Sequence, residues 1–413
     1  MLEKKDYNYE LPDSKIAYYA LPNRCDSKLL IYKNGEINTQ LFDTIPTYFT
    51  KGEILVVNET KVVPARLLFT NSTSATIEIF CLQIKQEKPG SALVECFVGN
   101  AKKWKEEALQ LAYNEHTLQV EKTEPNSEKF TLLFTWTENT LSFYQILEKT
   151  GKIPLPPYIK REAESVDVTA YQSLFAKHKG SVAAPTASLH FTEGLLQQIK
   201  KQDVHLEKIT LHVGAGTFQP MKAELVKEHT MHAEQISIPI HTLEMLIYAK
   251  KHKKAVTAVG TTVARTLESI YLLAHTITNE LLENQEKGID IYSGKMQKEY
   301  RKRLQNIDIQ QLEYTHIQEY TDPETALRTL WELVQWTGID TIKGSTSLMI
   351  IPGYTFQIVD KLITNFHQPE STLLLLVSAF VGQKWREIYD YALAHDFRFL
   401  SYGDACLLYK EEK

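Results

Sequence analysis

Helical and strand patterns alternate along the second half of the chain. Short runs of apolar and β-branched residues, typical of buried strands, separate segments in which apolar residues recur every three or four positions. The strand-like runs occupy 209–213 and 255–259, and the helix-like segments occupy 192–200, 243–252 and 264–275. This alternation predicts an α/β fold with mainly parallel strand pairing. Two further predicted strands lie at 28–33 and 54–57.

The pattern changes between residues 67 and 150, where apolar and polar residues alternate with a period of two, as along 75–82 and 92–98. This predicts a small all-β domain inserted into the main one. The proline-rich segment 151–159 is expected to be an extended connector. We therefore predict a main α/β domain formed by 1–66 and 151–413 and a small domain at 67–150.

Residues 276–345 are more polar and irregular, and we expect a helical insert there. Asp322, Pro323 and Glu324 are typical of the start of a helix, and Gly338 is typical of its end. A basic run at 295–303 is either a solvated helix face or a surface that contacts RNA.

Composition narrows the class of protein. The 413 residues exceed what one hydrophobic core usually contains. Lys and Arg total 46 against 51 acidic residues, so the formal charge of −5 argues against a surface built mainly for nucleic acid, although not against a local basic patch. The sequence has neither a membrane-spanning apolar run nor a secretory signal, and its four cysteines lack metal-ligand spacing. We expect a cytoplasmic protein with reduced thiols.

Four blocks combine glycine, histidine, hydroxyl and charged residues with apolar runs. They occupy 180–192, 211–218, 259–269 and 362–372. In the last three, an apolar run ends in a polar turn, which is the arrangement found where strands end at the carboxyl edge of a sheet. The blocks therefore predict a single site at that edge.

The block at 259–269 predicts an anion site. Gly260, Thr261 and Thr262 follow a predicted strand and begin a predicted helix, whose free amides favour a carboxylate or phosphate. Arg265 lies one turn later. The alternative is structural: a threonine caps the helix and Arg265 pairs with Glu268.

The histidine-containing blocks also admit alternatives. Gly214 and Gly216 would let a ligand approach the backbone, but the segment lacks the third glycine of a nucleotide motif, and a structural turn is the other interpretation. His229, His232 and Glu234 have only loose spacing for a metal site, and we predict no metal.

Asn365 and His367 follow a predicted strand and precede a helix that Ser371 would cap. Their side chains either take part in chemistry or satisfy backbone groups at the end of the strand. Because His190 and His212 lie in other blocks of the same kind, a proton-transferring histidine is expected among them.

Taken together and in this order, the motifs resemble those of the S-adenosylmethionine:tRNA ribosyltransferase-isomerase family of queuosine biosynthesis. The resemblance covers most of the chain and depends on no single block. The blocks are Tyr9-Glu-Leu-Pro, Pro64-Ala-Arg, Pro154-Leu-Pro-Pro-Tyr-Ile, Tyr171-Gln, Ala184-Pro-Thr-Ala, Leu189-His-Phe-Thr, Leu211-His-Val-Gly-Ala-Gly-Thr-Phe, His229-x-Met-His, Pro352-Gly-Tyr, Thr364-Asn-Phe-His and Ser401-Tyr-Gly-Asp.

The resemblance implies an irregular α/β barrel-like main domain with a small inserted all-β barrel. It also implies an enzyme without a metal or flavin cofactor that consumes S-adenosylmethionine as a ribosyl donor. The ribosyl group would be transferred to 7-aminomethyl-7-deazaguanine at the wobble position of tRNA and isomerised, giving epoxyqueuosine-tRNA with release of adenine and methionine.

The resemblance implies site residues as well. A base must remove a proton from the ribose carbon beside the sulfonium, and departing adenine needs a proton donor. The candidates for these roles, not assigned individually, are His190, His212, His367 and Asp404. The methionine carboxylate is expected at Thr261, Thr262 and Arg265. The full set of predicted substrate-binding residues is Arg24, Thr186, Gly214, Gly216, Thr217, His229, His232, Glu234, Thr261, Thr262, Arg265, Glu268, Asn365 and Tyr402.

Several positions depart from the residues usual in the family, among them Lys28, Val263, Gln368 and Glu370, and the region between Glu268 and Tyr354 is expected to be unusually long. The changes of charge affect phosphate contacts more than the adenosylmethionine site. Two alternatives follow: a divergent paralogue that uses S-adenosylmethionine with a non-tRNA acceptor, or a binding paralogue without catalysis. The sequence gives no sign of a membrane or of an obligate protein partner.

Overall fold

The structure, a computed structural model, describes residues 2–123, 129–214, 216, 221–311 and 313–411. Its strands are β1 Lys28–Lys33, β2 Glu36–Leu41, β3 Ile54–Asn58, β4 Thr60–Val62, β5 Arg66–Thr70, β6 Thr76–Lys88, β7 Ser91–Gly99, β8 Ala108–Tyr113, β9 His116–Lys122, β10 Phe130–Trp136, β11 His178–Ser181, β12 His205–His212, β13 Glu234–Pro239, β14 Val256–Val259, β15 Ile307–Ile309, β16 Thr341–Thr346, β17 Lys361–Asn365 and β18 Ala405–Tyr409. Its α-helices are α1 Phe143–Thr150, α2 Asp167–Ala170, α3 Glu193–Lys201, α4 Ile240–Lys251, α5 Thr261–Glu286, α6 Gly294–Leu304, α7 Pro323–Thr337, α8 Thr372–Val381 and α9 Trp385–Ala394.

A large mixed sheet with the strand order β15-β16-β13-β12-β3-β14-β17-β18-β1-β2 forms the centre of the molecule. The neighbours β12, β3, β14 and β17 pair in parallel, whereas β18 runs antiparallel to β17. The predicted α/β class is therefore confirmed. The barrel-like shape of this sheet stays a prediction, since the hydrogen-bonded order of the described strands runs in one row from β15 to β2.

Every residue of β3 is buried, because helices cover both faces of the sheet. Ile54 and Val56 belong to the core beneath α4 and α5, whereas Leu55 and Val57 belong to the core beneath α3. The period of two along a strand sends successive side chains to opposite faces. A continuous apolar run is therefore what a central strand of this sheet requires.

A second, six-stranded antiparallel sheet has the order β5-β6-β7-β10-β9-β8, and its end strands β5 and β8 pack together, so that it is nearly closed. Side chains from alternate positions fill its interior, as with Val94 and Cys96 on β7. The expected small all-β unit is present in this coarse sense, and we refer to it as the barrel. The domain boundaries assigned from the sequence stay predictions.

The predicted helical insert at 276–345 contains more than helices. It includes the end of α5 and all of α6 and α7, but β15 and β16 continue the main sheet beyond β13. The strand pattern was weak because β15 has three residues and β16 contains Gly344. The predicted limits of α7 are confirmed: the Asp322 side chain accepts a hydrogen bond from the Thr325 amide at 2.9 Å, and Gly338 has φ of 67°.

Parallel pairing places the carboxyl ends of β12, β3, β14 and β17 at one edge of the main sheet. Because β18 is antiparallel to β17, the segment that leads into β18 reaches the same edge. Three of the four sequence blocks follow strands that end there. No helix in the described part of the chain has the length and apolar character needed to cross a membrane.

Candidate active site

Separate segments of the chain meet in a cleft at this edge of the main sheet. They come from the 180–192 block, the ends of β12, β14 and β17, and the turn before β18. The cleft is lined mainly by residues 183–187, Val213, 260–262, 364–368 and 400–401, with Tyr158, Ser371 and Leu373. The predicted substrate-binding residues Thr186, Thr261, Thr262 and Asn365 and the predicted catalytic residue His367 therefore share one cavity.

Helix α5 begins at the cleft with its positive end. Gly260, at φ of 95°, turns the chain from β14 into the helix, a backbone conformation that favours glycine. Among the described residues no side chain caps this helix, so the alternative in which a threonine caps it is wrong. The first-turn amides at Thr261 and Thr262 are thus available to an anion in the cleft.

Arg265 lies one turn into α5 and forms a buried ion pair with Glu234 of β13. The alternative pairing with Glu268 is therefore wrong. Glu234 also accepts a hydrogen bond from the Gly214 amide at 3.3 Å and contacts His232 at 3.4 Å. Arg265 lowers the pKa of the Glu234 carboxyl, against the effect of burial. This carboxylate fastens β13 to α5 and to the end of β12.

Glu268 lies outside the cleft. Its buried carboxylate accepts hydrogen bonds from the Tyr354 hydroxyl at 2.8 Å and from the amides of Gln357, Ile358 and Val359 at 3.0, 2.9 and 3.0 Å. Burial nevertheless raises the pKa of Glu268. These contacts hold the segment before β17 in position. Glu268 therefore supports the structure around the cleft and does not lie where the substrate was predicted to bind.

His190 lies behind the cleft wall in a chain of hydrogen bonds. The Thr186 hydroxyl donates to Asn365 Oδ1 at 2.9 Å, Asn365 Nδ2 lies 3.3 Å from His190 Nε2, and His190 Nδ1 lies 3.0 Å from Ser27 Oγ. Because the amide donates to Nε2, the ring proton is on Nδ1. Burial lowers the pKa of His190 to about 4, so the ring is neutral at pH 7.

His367 lines the cleft itself. Its Nε2 lies 2.9 Å from the Thr364 hydroxyl, its amide donates to the Tyr389 hydroxyl at 3.0 Å, and its carbonyl accepts from the Tyr9 hydroxyl. Burial lowers the pKa of His367 to about 3. The ring is therefore held in one place, uncharged, with the backbone anchored on both sides.

A second cavity, which we call the groove, lies between the barrel and the main sheet. Its barrel wall includes Leu82–Ile84, Glu95, Phe97, Lys129 and Tyr144, and its other wall includes Gly180, 212–214, Gly216 and several residues within 222–235. The predicted residues His212, Gly214, Gly216, His229 and His232 lie here rather than in the cleft. Val213 lines both cavities, so the two are neighbours.

Gly216 has a steric reason to be glycine. A Cβ at this position would lie 2.6 Å from His232 Nδ1, which no ordinary contact allows. The two-glycine segment thus lets the His232 ring approach the backbone. Thr217, the remaining predicted residue of this segment, lies outside the described residues.

The family model of queuosine biosynthesis proteins matches residues 4–302 and 323–408, which is most of the chain. The chain belongs to this family. It is similar to the S-adenosylmethionine:tRNA ribosyltransferase-isomerases of Vesicomyosocius okutanii, with 34% identity over 410 residues and 99% of both chains covered, and of Nitrosomonas europaea, with 35% identity over 415 residues, 98% of this chain and 96% of the relative. It also resembles the crystal structure of S-adenosylmethionine tRNA ribosyltransferase from Thermotoga maritima, with 24% identity, a TM-score of 0.45, and 98% and 99% of the two chains covered.

Membership of the queuosine biosynthesis family confirms the resemblance drawn from the motifs. The expected extra length of the region between Glu268 and Tyr354 stays a prediction. The stretch 303–322, which the family model leaves unmatched, lies inside that region.

Three other residues predicted from the family hold loops together around the cleft. Arg24 donates to the carbonyls of Thr169, Gln172 and Leu189. Asp404 accepts from the Arg398 side chain at 2.7 Å, the Arg398 amide at 2.8 Å and the Lys28 amide at 3.1 Å.

The Tyr402 hydroxyl donates to Asp167 at 2.7 Å, and Asp167 also binds Arg161 through two hydrogen bonds of 2.7 and 2.8 Å. Tyr402 therefore joins the turn before β18 to the segment that follows the connector. Like Arg24 and Asp404, it supports the cleft from outside its lining.

Sequence reasoning missed a hydroxyl pair in the cleft wall. Tyr158 and Ser401 both line the cleft, and their oxygens lie 2.5 Å apart. Both belong to motifs on which the resemblance depends, Pro154-Leu-Pro-Pro-Tyr-Ile and Ser401-Tyr-Gly-Asp. Their presence in these motifs is the sequence signal that could have identified them as site residues. In the described residues, no group of three or more His, Cys, Asp or Glu side chains is arranged to hold a metal ion.

Proposed function

We propose that this chain transfers the ribosyl group of S-adenosylmethionine to 7-aminomethyl-7-deazaguanine at the wobble position of tRNA and isomerises it, giving epoxyqueuosine-tRNA, adenine and methionine. The observation that carries the proposal is the meeting of the family's separate blocks in one cleft. The relatives named S-adenosylmethionine:tRNA ribosyltransferase-isomerase support it, because the identity of 34–35% extends over 98–99% of this chain.

We propose that the methionine end of the donor lies against the first turn of α5. A carboxylate there would accept hydrogen bonds from the amides at Thr261 and Thr262 and would lie at the positive end of a 26-residue helix. Arg265 is paired with Glu234, so its positive charge is already partly balanced. The amides, rather than the guanidinium, are therefore the proposed direct ligands.

The proton that leaves the ribose carbon beside the sulfonium needs an acceptor in the cleft. His367 is the proposed acceptor, since it lines the cavity and its ring is unprotonated at pH 7. His190 has the supporting role of orienting Asn365, through the hydrogen bond between their side chains.

Adenine leaves with the electrons of its bond to the ribose and then needs a proton. His367, once it has accepted the ribose proton, carries the proton that adenine needs, whereas neutral His190 has none to give because its pKa is far below 7. The Tyr158 and Ser401 hydroxyls are the proposed hydrogen-bond donors to the departing base.

The remaining expectations are proposals of the same kind. We propose that S-adenosylmethionine is a consumed substrate, that the reaction uses no metal or other cofactor and no obligate protein partner, and that the protein is cytoplasmic. We also propose that 67–150 forms a separate barrel domain inserted into a barrel-like main domain.

Release of adenine from S-adenosylmethionine tests the function. The full chain is incubated with the donor alone, with tRNA carrying guanine at the wobble position, and with tRNA carrying 7-aminomethyl-7-deazaguanine, and adenine is quantified by chromatography. We expect adenine only with the last RNA, together with a matching mass increase of the tRNA. Release without RNA would point to the non-tRNA transferase, and no release under any condition would point to the binding paralogue; either result overturns the proposal.

A further inference from the structure

The barrel wall of the groove presents apolar and aromatic side chains away from the barrel core. Along β7, Val94 and Cys96 point inward and are buried, whereas the next residue, Phe97, is half-exposed and lines the groove. Leu82 lines the groove from β6 and is also half-exposed. Such outward positions of a small barrel are usually polar.

The strand β6 is irregular where it forms this wall. Its pairing with β7 shifts register between Cys81 and Gln83 and again between Ile84 and Gln86. Bulges of this kind bend a strand and redirect its side chains, and they are frequent beside binding sites. They lie where Leu82–Ile84 enters the groove.

The opposite wall offers neutral imidazoles. Burial lowers the pKa of His212, and burial with the neighbouring His232 lowers the pKa of His229. At pH 7 the neutral His229 ring has one hydrogen-bond donor and one acceptor, whereas His212 has only Nε2 left for a ligand, because its Nδ1 lies 2.9 Å from the Thr60 hydroxyl. Neutral groups of this kind suit the edge of a nucleobase better than a phosphate.

Charges in the groove are mixed. Lys129 and Lys222 line it, but so do Glu95 and Glu228, and Lys129 is paired with Glu95 at 2.9 Å. A groove made for a run of phosphates would be more uniformly positive. An aromatic wall facing neutral donors and acceptors is instead typical of the recognition of unstacked bases in single-stranded RNA.

The groove adjoins the candidate active site at Val213, which lines both cavities. An RNA base that enters the cleft would therefore have its chain neighbour at the groove. We propose that the groove binds an unstacked base of the acceptor RNA adjacent to the base that reacts, with Phe97 as its stacking surface. This inference rests on the proposed function, since it takes the acceptor to be RNA.

Binding of an anticodon stem-loop RNA tests the proposal. Affinity of the full chain is measured by fluorescence anisotropy at one fixed salt concentration, for the wild type and for Phe97→Ala, Phe97→Trp and Tyr292→Ala. Loss of one base-aromatic stack corresponds to roughly tenfold weaker binding, which we expect for Phe97→Ala, whereas the ring of Phe97→Trp keeps affinity near that of the wild type. Tyr292 is the matched control, because it is 71% exposed and lies outside the groove.

Two further measurements keep the result interpretable. Thermal melting of each variant shows whether it is folded. Calorimetric titration with S-adenosylmethionine measures binding of the donor in the cleft, which Phe97 does not line. Unchanged RNA affinity in Phe97→Ala, equal loss in Phe97→Trp, or equal loss in Tyr292→Ala would overturn the proposal.

The outcomes separate this proposal from the proposed function. Adenine release with the modified tRNA, combined with normal RNA affinity in Phe97→Ala, rejects only the groove. RNA affinity that depends on the Phe97 ring, without adenine release by the wild type, supports the groove and rejects the function. A wild type that binds no RNA rejects the groove, and the adenine assay then decides the function by itself.

Discussion

The cleft and the groove contain similar side chains in different surroundings. In the cleft region His190 is buried and His367 is half-buried, burial lowers their pKa values to about 4 and about 3, and each ring has a hydrogen-bonded neighbour that orients it. In the groove His212 and His229 are half-buried and burial also lowers their pKa values, but they face a cavity lined by charged and aromatic side chains. Histidine is thus suited to act as an oriented, uncharged ring beside the cleft and to contact a ligand in the groove.

The Glu234–Arg265 pair lies between the two cavities. Glu234 contacts Gly214 and His232 on the groove side, while Arg265 is on the helix whose first turn lines the cleft. Both side chains are almost fully buried, with 0% and 4% exposure. The pair therefore links the geometry of one cavity to that of the other.

The largest expected effect follows from breaking this pair. Glu234→Ala leaves the Arg265 charge buried and unpaired, which we expect to lower the free energy of unfolding in urea by about 3–5 kcal/mol. Replacing both partners, as Glu234→Leu with Arg265→Met, is the control and should recover much of the loss. A small effect of the single change would mean that the two cavities are not joined through this pair.

The next effect separates the cavities by chemistry. His367→Ala should lower the rate of adenine release by roughly 100-fold or more, because it removes the proposed proton acceptor, and His190→Ala should also lower the rate. His212→Ala in the groove should act mainly on the KM for RNA. His241→Ala is the control, since its side chain is 66% exposed. Equal losses of kcat for His212→Ala and His367→Ala would remove the distinction between the cavities.

The pH dependence of stability tests the buried state of the cleft histidines. Their folded pKa values lie below the unfolded value of about 6.5, so their contribution to stability is complete above that pH and is lost as pH falls toward 4. Between these limits each histidine contributes a slope of about 1.4 kcal/mol per pH unit. Urea unfolding of the wild type and of His190→Asn, measured from pH 7 to pH 4.5, should differ by that slope; parallel curves would contradict the burial of a neutral His190.

The smallest effect concerns the helix that follows the cleft. Ser371 caps α8, with its hydroxyl accepting from the Leu374 amide at 3.2 Å, so Ser371→Ala should cost about 1 kcal/mol of stability. Ser371→Asp, which can also cap, is the control and should keep the stability of the wild type. The two variants are compared by thermal unfolding, and an equal loss in both would show that the hydroxyl does more than cap the helix.

Local signals in the sequence predicted several elements closely. Ser371 before an apolar run predicted α8, and the structure has that helix at Thr372–Val381 with Ser371 as its cap. Asp322 and Gly338 likewise bounded α7. These predictions succeeded because caps act within a few residues, so the sequence contains both partners of each contact.

Local signals did not predict the strands β15 and β16, nor did they predict the partner of Arg265. The paired side chains of Glu234 and Arg265 are 31 residues apart, and nothing local distinguishes Glu234 from Glu268 as the partner. Likewise, Asp404 and Tyr402 carry family motifs, yet their contacts with Arg398 and Asp167 are visible only in the folded chain.

The sequence by itself determined the alternation of helices and strands, the small all-β unit, the helix caps and the blocks that identify the family. Each of these depends on residues that are close together along the chain. The tertiary structure decided which block residues share the cleft, which line the groove and which only support loops. The physical reason is that burial and pairing between distant segments set the charge and the orientation of a side chain. His190 and His212 have the same chemistry in the sequence and acquire different surroundings only when the sheet brings Asn365 to one and the barrel to the other.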